Sequence, residues 1–232
     1  MATSSTTLSG DESKWTEAQK LASLEPAFRA KVEAVMAQLR AQGHAPHLFY
    51  AWRSPVTQAV LRAKGTSTVD FSFHNALDAA GRPAALGVDL VDGRKDSKGR
   101  SVLWGAAWPG EAKGSAYSME RKAKADQFFL ALGAAGKAQG LYWGGDWISF
   151  KDVAHLQALP NGSLGEIRRQ SLAALAAAGG FAAGSAADVS KAVSLSLQSP
   201  RQGLTLARDV LRRLPWWGWA AVGALGLWSL WR

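Results

Sequence analysis

The sequence predicts an α+β fold: a small domain of mixed helices and antiparallel strands, followed by a helical tail. Three observations carry this expectation. Helix-like and strand-like segments alternate without a regular strand–helix–strand repeat. The 232 residues are 47% hydrophobic, enough for one domain of ordinary size and an appendage. Composition also changes after Pro160, where residues 171–187 (SLAALAAAGGFAAGSAA) are nearly all Ala, Gly and Ser and carry no charge.

In chain order, residues 1–20 begin small and polar and are expected to form a flexible lead-in. A helix is expected from Ser23 to Ala41. Ser23 would cap it, Pro26 fits its first turn, and Leu24, Phe28, Val32, Val35, Met36 and Leu39 recur at three- and four-residue spacing. His47–Trp52 reads as a strand stopped by Ser54-Pro55. Val56–Lys64 reads as a short helix ending at Gly65, and Ala84–Val91 as a second strand. Residues 92–114, rich in Gly, Lys and Arg, read as a long loop. Ser115–Gln139 is a helix closed by Gly140. Leu141–Trp143 and Val153–Gln157 are further strands around a Gly-Gly turn. The expected organisation is a domain over 21–160, an Ala/Gly/Ser-rich linker or helix over 161–203, and a basic helix plus apolar run over 204–232.

The chain has no cysteine. This excludes thiolate nucleophiles, cysteine-ligated zinc, iron–sulfur clusters and disulfides. Any metal must be held by the four histidines and the carboxylates. The net charge of +9 favours polyanions: nucleic acid, anionic lipid or an acidic wall polymer. No basic helix with base-reading context is present, so nucleic acid is not an expected partner. The first residues lack the basic and apolar regions of a secretory leader.

Three clusters stand out: AWRSPVTQ (51–58), SFHNALDAAGRPAALGVDL (72–90) and LYWGGDWISFKDVAHLQ (141–157). The second and third hold His74, Asp89, Asp152 and His155, the residue types of a cysteine-free catalytic zinc site. Such a site takes three N/O ligands and leaves a fourth position for water. A non-ligating carboxylate must then take the proton and return it to the leaving amine. Asp152, three residues before His155, suits that role. Asp78 competes with Asp89 as the carboxylate ligand.

The order W-R-S-x-x-x-Q, then S-x-H with a later G-x-D, then W-G-G-D-W-x-x-F-x-D-x-x-H-x-Q resembles the M15 zinc peptidases. It is most similar to the phage L-alanyl-D-glutamate endopeptidases, endolysins that cut peptidoglycan stem peptides. The resemblance covers about residues 20–158, including SLEPAF and KGTSTVDFSFHNA. It implies a hedgehog/DD-peptidase-like domain in which His74, Asp89 and His155 bind Zn2+ and Asp152 is the catalytic base. It also implies that Arg53 binds a substrate carboxylate or steadies the oxyanion, a task suited to a permanently charged, fork-shaped donor. Ser72 and Gln58 match accompanying substrate-pocket positions. The family places its aspartate seven residues after the histidine, whereas Asp89 follows His74 by 15. Asp89 is preferred because it ends the apolar Gly87-Val88-Asp89-Leu90. Asp78 sits in Asp-Ala-Ala-Gly-Arg-Pro, a turn insertion.

Other polar and aromatic positions have simpler readings. Asp146 is a turn or pocket-wall residue, His44 and His47 flank a strand start, and Lys95, Lys98 and Arg100 lie on a solvated loop. Trp143 and Trp147 line a groove or pack in the core. Leu214–Trp231 is 18 residues without charge and holds five of the 11 tryptophans, grouped at its two ends. As a helix it would span about 27 Å, matching a bilayer core with aromatic belts. The expected protein is therefore a zinc-dependent peptidoglycan endopeptidase, made in the host cytoplasm, membrane-associated through residues 214–231 and acting on the cell wall. A D-Ala-D-Ala carboxypeptidase is the alternative within the superfamily. A membrane-disrupting or wall-anchoring protein with an idle metal site is the alternative outside it.

Overall fold

A computed structural model describes residues 12–63 and 65–177. It has the expected mixed architecture: helices packed on an antiparallel sheet. Helix α1 (Glu17–Ala22) starts in a capping box, with Thr16 and Gln19 satisfying each other's backbone amides. Helix α2 (Pro26–Ala41) follows and buries Phe28, Val32, Val35, Met36 and Leu39, the stripe read from the sequence. Its cap is Glu25 rather than Ser23. Proline disfavours a helical conformation in the residue before it, so Glu25 is extended (φ −58°, ψ 136°) and accepts from the Phe28 amide. Ser23 instead closes α1.

From Glu12 onward the expected flexible lead-in is folded. Glu12 is buried and accepts from the Ser54 amide and the Thr57 hydroxyl, and the buried Lys20 donates to the Leu48 carbonyl at 2.7 Å. Its polarity misleads because these polar groups serve as buried hydrogen-bond partners rather than a solvated tail.

Strand β1 (Pro46–Tyr50) leads to helix α3 (Pro55–Ala63). Strand β2 (Gly87–Lys95) is the centre of the sheet. It pairs antiparallel with β1, with β5 (His155–Gln157) along Gly87–Asp89, and with β3 (Ser101–Leu103) along Asp92–Lys95. Strand β4 (Tyr142–Trp143) pairs with β5. Helix α4 (Ala116–Ala138), capped by Ser115, packs with α2 against the sheet, and Val88, Leu90, Phe128, Leu132 and Leu156 fill the space between.

Residues 92–114 depart from the expected loop. Strand β2 runs on to Lys95 and returns as β3 through a turn in which Asp96 Oδ1 accepts from the Lys98 and Arg100 amides. The hairpin is hidden in the sequence because ion pairs, not apolar alternation, satisfy its buried side.

Helix α5 (Leu164–Ala177) falls within the stretch expected as linker or helix. It packs on the domain, with Leu175 against Phe71 and Ser171 Oγ accepting from the Leu77 amide. The folded unit thus runs past residue 160. The apolar run 214–231 and the basic segment before it lie outside the described residues. Among the described residues no helix is long and apolar enough to cross a membrane.

Candidate metal centre and active site

Strands β2 and β5 place Asp89 and His155 directly opposite each other. Directly opposed side chains have Cβ atoms about 4.5–5.5 Å apart, close enough to share a ligand. His74 comes from a single 3-10 turn, Phe73–Asn75. Asn75 fastens this turn: its Nδ2 donates to the Arg53 carbonyl at 2.8 Å and its Oδ1 accepts from the Ser72 amide at 2.8 Å. The Arg53 amide in turn donates to the His74 carbonyl at 2.9 Å. Gly87 leaves room for the ring of His155, since a Cβ there would lie 3.0 Å from His155 Cε1 and 3.1 Å from Phe73 Cβ.

His74, Asp89 and His155 are all buried, and one atom of each meets the others. His155 Nδ1 lies 3.0 Å from Asp89 Oδ1, His74 Nε2 lies 3.2 Å from the same oxygen, and the two nitrogens are 3.1 Å apart. The outer nitrogen of each ring assigns its tautomer. His74 Nδ1 is 2.6 Å from the Ala51 carbonyl, which can only accept, so the proton sits on Nδ1 and Nε2 presents a lone pair. His155 Nε2 is 3.1 Å from Gln157 Oε1, and with the ring proton there Nδ1 presents a lone pair. In these tautomers three acceptors face one another with no hydrogen between them, an arrangement that a cation resolves. Ligand atoms about 2.0–2.1 Å from a tetrahedral zinc lie about 3.3 Å from each other. The donor set and its spacing fit zinc.

The surrounding charges keep this set ready. Burial, with the Arg53 charge beside it, holds His74 down at about 4, so its imidazole is neutral at neutral pH. Burial alone would raise Asp89, but the Arg53 guanidinium paired with it holds its carboxyl well below the ordinary range. Arg53 pairs through Nη2 with Asp89 Oδ2, leaving Oδ1 to the histidines, and its guanidinium lies over the Tyr50 ring at 4.6 Å.

Asp152 sits at the approach to β5. Its amide donates to the Gly144 carbonyl, and its own carbonyl accepts from the His155 amide, both at 3.1 Å. Gly144 permits this approach, because a Cβ there would lie 2.4 Å from the Asp152 carbonyl oxygen. Burial, reinforced by the charge of Asp89, pushes the Asp152 carboxyl up. Such a carboxylate takes a proton more readily than a solvated one.

No family model matches the sequence. The peptidoglycan L-alanyl-D-glutamate endopeptidase CwlK of Bacillus subtilis (strain 168) is 33% identical over 90 residues, 39% of this chain and 41% of that protein. Over that stretch the domain is similar to an M15-type peptidase. The chain spans about two fifths of the length of this curated relative. The crystal structure of the L-Ala D-Glu endopeptidase ChiX of Serratia marcescens aligns at 20% identity and a TM-score of 0.41, covering 64% of this chain and 92% of that one.

Within the domain the remaining expected residues take up clear positions. Asp78 lies apart from the cluster, in a turn where it pairs with Arg82 and accepts from the Ala80 and Arg82 amides. Ser72 Oγ donates to Asn75 Oδ1 at 3.1 Å and so belongs to the turn carrying His74. Gln58 is buried on α3, and its Nε2 donates to Ser67 Oγ and the Val69 carbonyl, bracing the 66–70 loop. Asp146 pairs with Lys137 at the surface. The Trp147 ring lies 5.4 Å from that of His155, beside the site, while Trp143 donates through Nε1 to the Val153 carbonyl. Sequence reasoning assigned no role to Gln157, Asn75 or Tyr50. Gln157 was within reach of a simple rule: two residues beyond His155 on a strand, it shares His155's face.

Proposed function

We propose that the chain is a zinc-dependent peptidoglycan hydrolase that cuts the L-alanyl-D-glutamate bond of stem peptides. One observation carries the metal reading: three buried atoms of metal-ligating type, from His74, Asp89 and His155, converge on one another. The substrate class rests on the similarity to CwlK, a peptidoglycan L-alanyl-D-glutamate endopeptidase. Zinc held by these residues supplies Lewis-acid polarisation of a carbonyl and activation of water at neutral pH. Asp152 accepts the proton of the attacking water and delivers it to the leaving amine, the exchange for which its raised proton affinity suits it. Arg53 fixes Asp89, and its Nε–H has no hydrogen-bond partner among the described residues. The exposed part of its permanently charged guanidinium would be the donor for an anionic stem peptide.

The deciding experiment incubates the purified full chain with peptidoglycan, with and without chelator, and identifies new termini by mass spectrometry. New N-terminal D-glutamate (or its amidated form), lost on chelation, is the expected product. Release of D-alanine would select a carboxypeptidase instead, and intact peptidoglycan with zinc bound would overturn the enzymatic reading. Asp152→Asn is expected to lower kcat by roughly 10²–10⁴-fold while zinc still binds.

From its sequence, we also propose that the apolar run 214–231 associates with membrane and brings the enzyme to the envelope. Its tryptophans at both ends and the arginines before it support this reading. Co-sedimentation of the full chain with anionic vesicles, lost when 214–231 is deleted, is the expected result. Equal sedimentation of both proteins would refute it.

A further inference from the structure

We propose that Gln157 is a positioning residue that locks His155 in the tautomer needed for metal binding, and that Asn161 and the Leu159 carbonyl lock Gln157 in turn. A neutral imidazole carries one proton, and its two nitrogens are otherwise nearly equivalent as sites for it. His155 must present a lone pair from Nδ1, the atom facing His74 and Asp89. Asp89 Oδ1, 3.0 Å from Nδ1, competes for the ring proton, and the group that holds it on Nε2 is Gln157 Oε1, at 3.1 Å.

An amide side chain can face either way, so a lone Gln–His contact decides nothing. Here the orientation is fixed from behind. Gln157 Nε2 donates to the Leu159 carbonyl at 2.7 Å and to Asn161 Oδ1 at 2.8 Å. A flipped amide would set two oxygens against each other at the Leu159 distance. Gln157 is 1% exposed, so water cannot relieve that clash. Oε1 therefore points at His155 and can only accept, placing the ring proton on Nε2. His74 is set in the same way by a backbone carbonyl, that of Ala51. The side-chain version is the one that mutation can reach. The relay starts at the exposed Asn161, in the turn before α5, and ends at the metal centre.

The consequence for metal affinity rests on the zinc reading above; the tautomer does not. The full chain has four histidines, so long-range proton–nitrogen correlation of ¹⁵N-histidine protein resolves each ring, and His155→Gln assigns the signal. In metal-free wild type, His155 is expected to carry its proton on Nε2. Gln157→Met keeps the volume and removes the acceptor. It should yield a mixture of tautomers and a zinc affinity, measured by chelator competition, lower by about 10–100-fold. Asn161→Ala, at an exposed site where folding is not at stake, should move both readouts less and in the same direction as Gln157→Met. A wild-type proton on Nδ1 would overturn the proposal, as would tautomer and zinc affinity both unchanged in Gln157→Met and Asn161→Ala. A locked tautomer in a chain that binds no zinc would refute the zinc reading alone.

Discussion

The two ends of β2 each carry a buried ionic cluster, and they are neutralised in different ways. Just beyond the C-terminal end, Arg121 is fully buried and pairs with Asp96 at 2.5 Å and with Glu111. Both carboxylates also accept backbone amides: Asp96 from Lys98 and Arg100, Glu111 from Trp108. That cluster contains its own cation and is complete. Near the other end, Arg53 answers only Asp89 Oδ2, while Oδ1 and two imidazole lone pairs are left facing one another. Burying charge is costly unless it is paired. A buried cluster completed by the chain shapes the fold, here by pinning the β2–β3 hairpin and the 104–115 loop onto α4. A buried cluster left one cation short is built for a ligand.

The largest expected effects separate these two roles. Arg121→Met removes the buried cation shared by Asp96 and Glu111, leaves only the partly exposed Arg100 to answer both, and is expected to abolish cooperative unfolding as followed by circular dichroism. Asp89→Ala is expected to keep the fold and lose both zinc and hydrolysis. A folded Arg121→Met protein, or an Asp89→Ala protein that retains zinc, would break the comparison.

A smaller effect sharpens it. A ligand bound only by the folded state stabilises by mass action, about 2.7 kcal/mol at a free concentration 100 times its Kd. Thermal melts of the wild type should rise with added zinc by an amount of this order, and melts of Asp89→Ala should not move. A zinc response that survives in Asp89→Ala would place the binding elsewhere on the chain.

How much of this was legible in the sequence depends on which force fixed each part. Helix α2 and its buried face were legible because apolar periodicity and Pro26 specify them locally. Asp89 was separable from Asp78 because an apolar strand and a polar turn differ in pattern. The β2–β3 hairpin was not legible, since its register depends on Asp96 meeting Arg121 from 25 positions away. The folded start of the chain was missed for the same reason: Glu12 and Lys20 read as solvent-exposed until Thr57 and Leu48 are brought to them. His74 and His155 could be named from their motifs. Their inward-facing nitrogens depend on the Ala51 carbonyl and Gln157 Oε1, which only the fold brings into place.

The smallest effect is a matter of pH, and it reads both clusters in one metal-free titration. His74 has an ordinary value of 6.5 and is held by burial at about 4. Over that interval the unfolded chain takes up a proton that the folded site refuses, so stability falls as pH drops from about 6.5 to about 4. Asp96 and Glu111 behave as depressed acids. Burial opposes their charge, but backbone amides and Arg121 outweigh it and hold both at about 2. Their contribution is fully present above the ordinary carboxylate values and is lost as pH falls towards about 2. Denaturant midpoints measured from pH 7 to pH 2 should therefore decline across two windows. His74→Gln should flatten the upper window and leave the lower one in place. If it flattened neither, or if the lower window vanished with it, the two clusters would not be the separate devices that their charges describe.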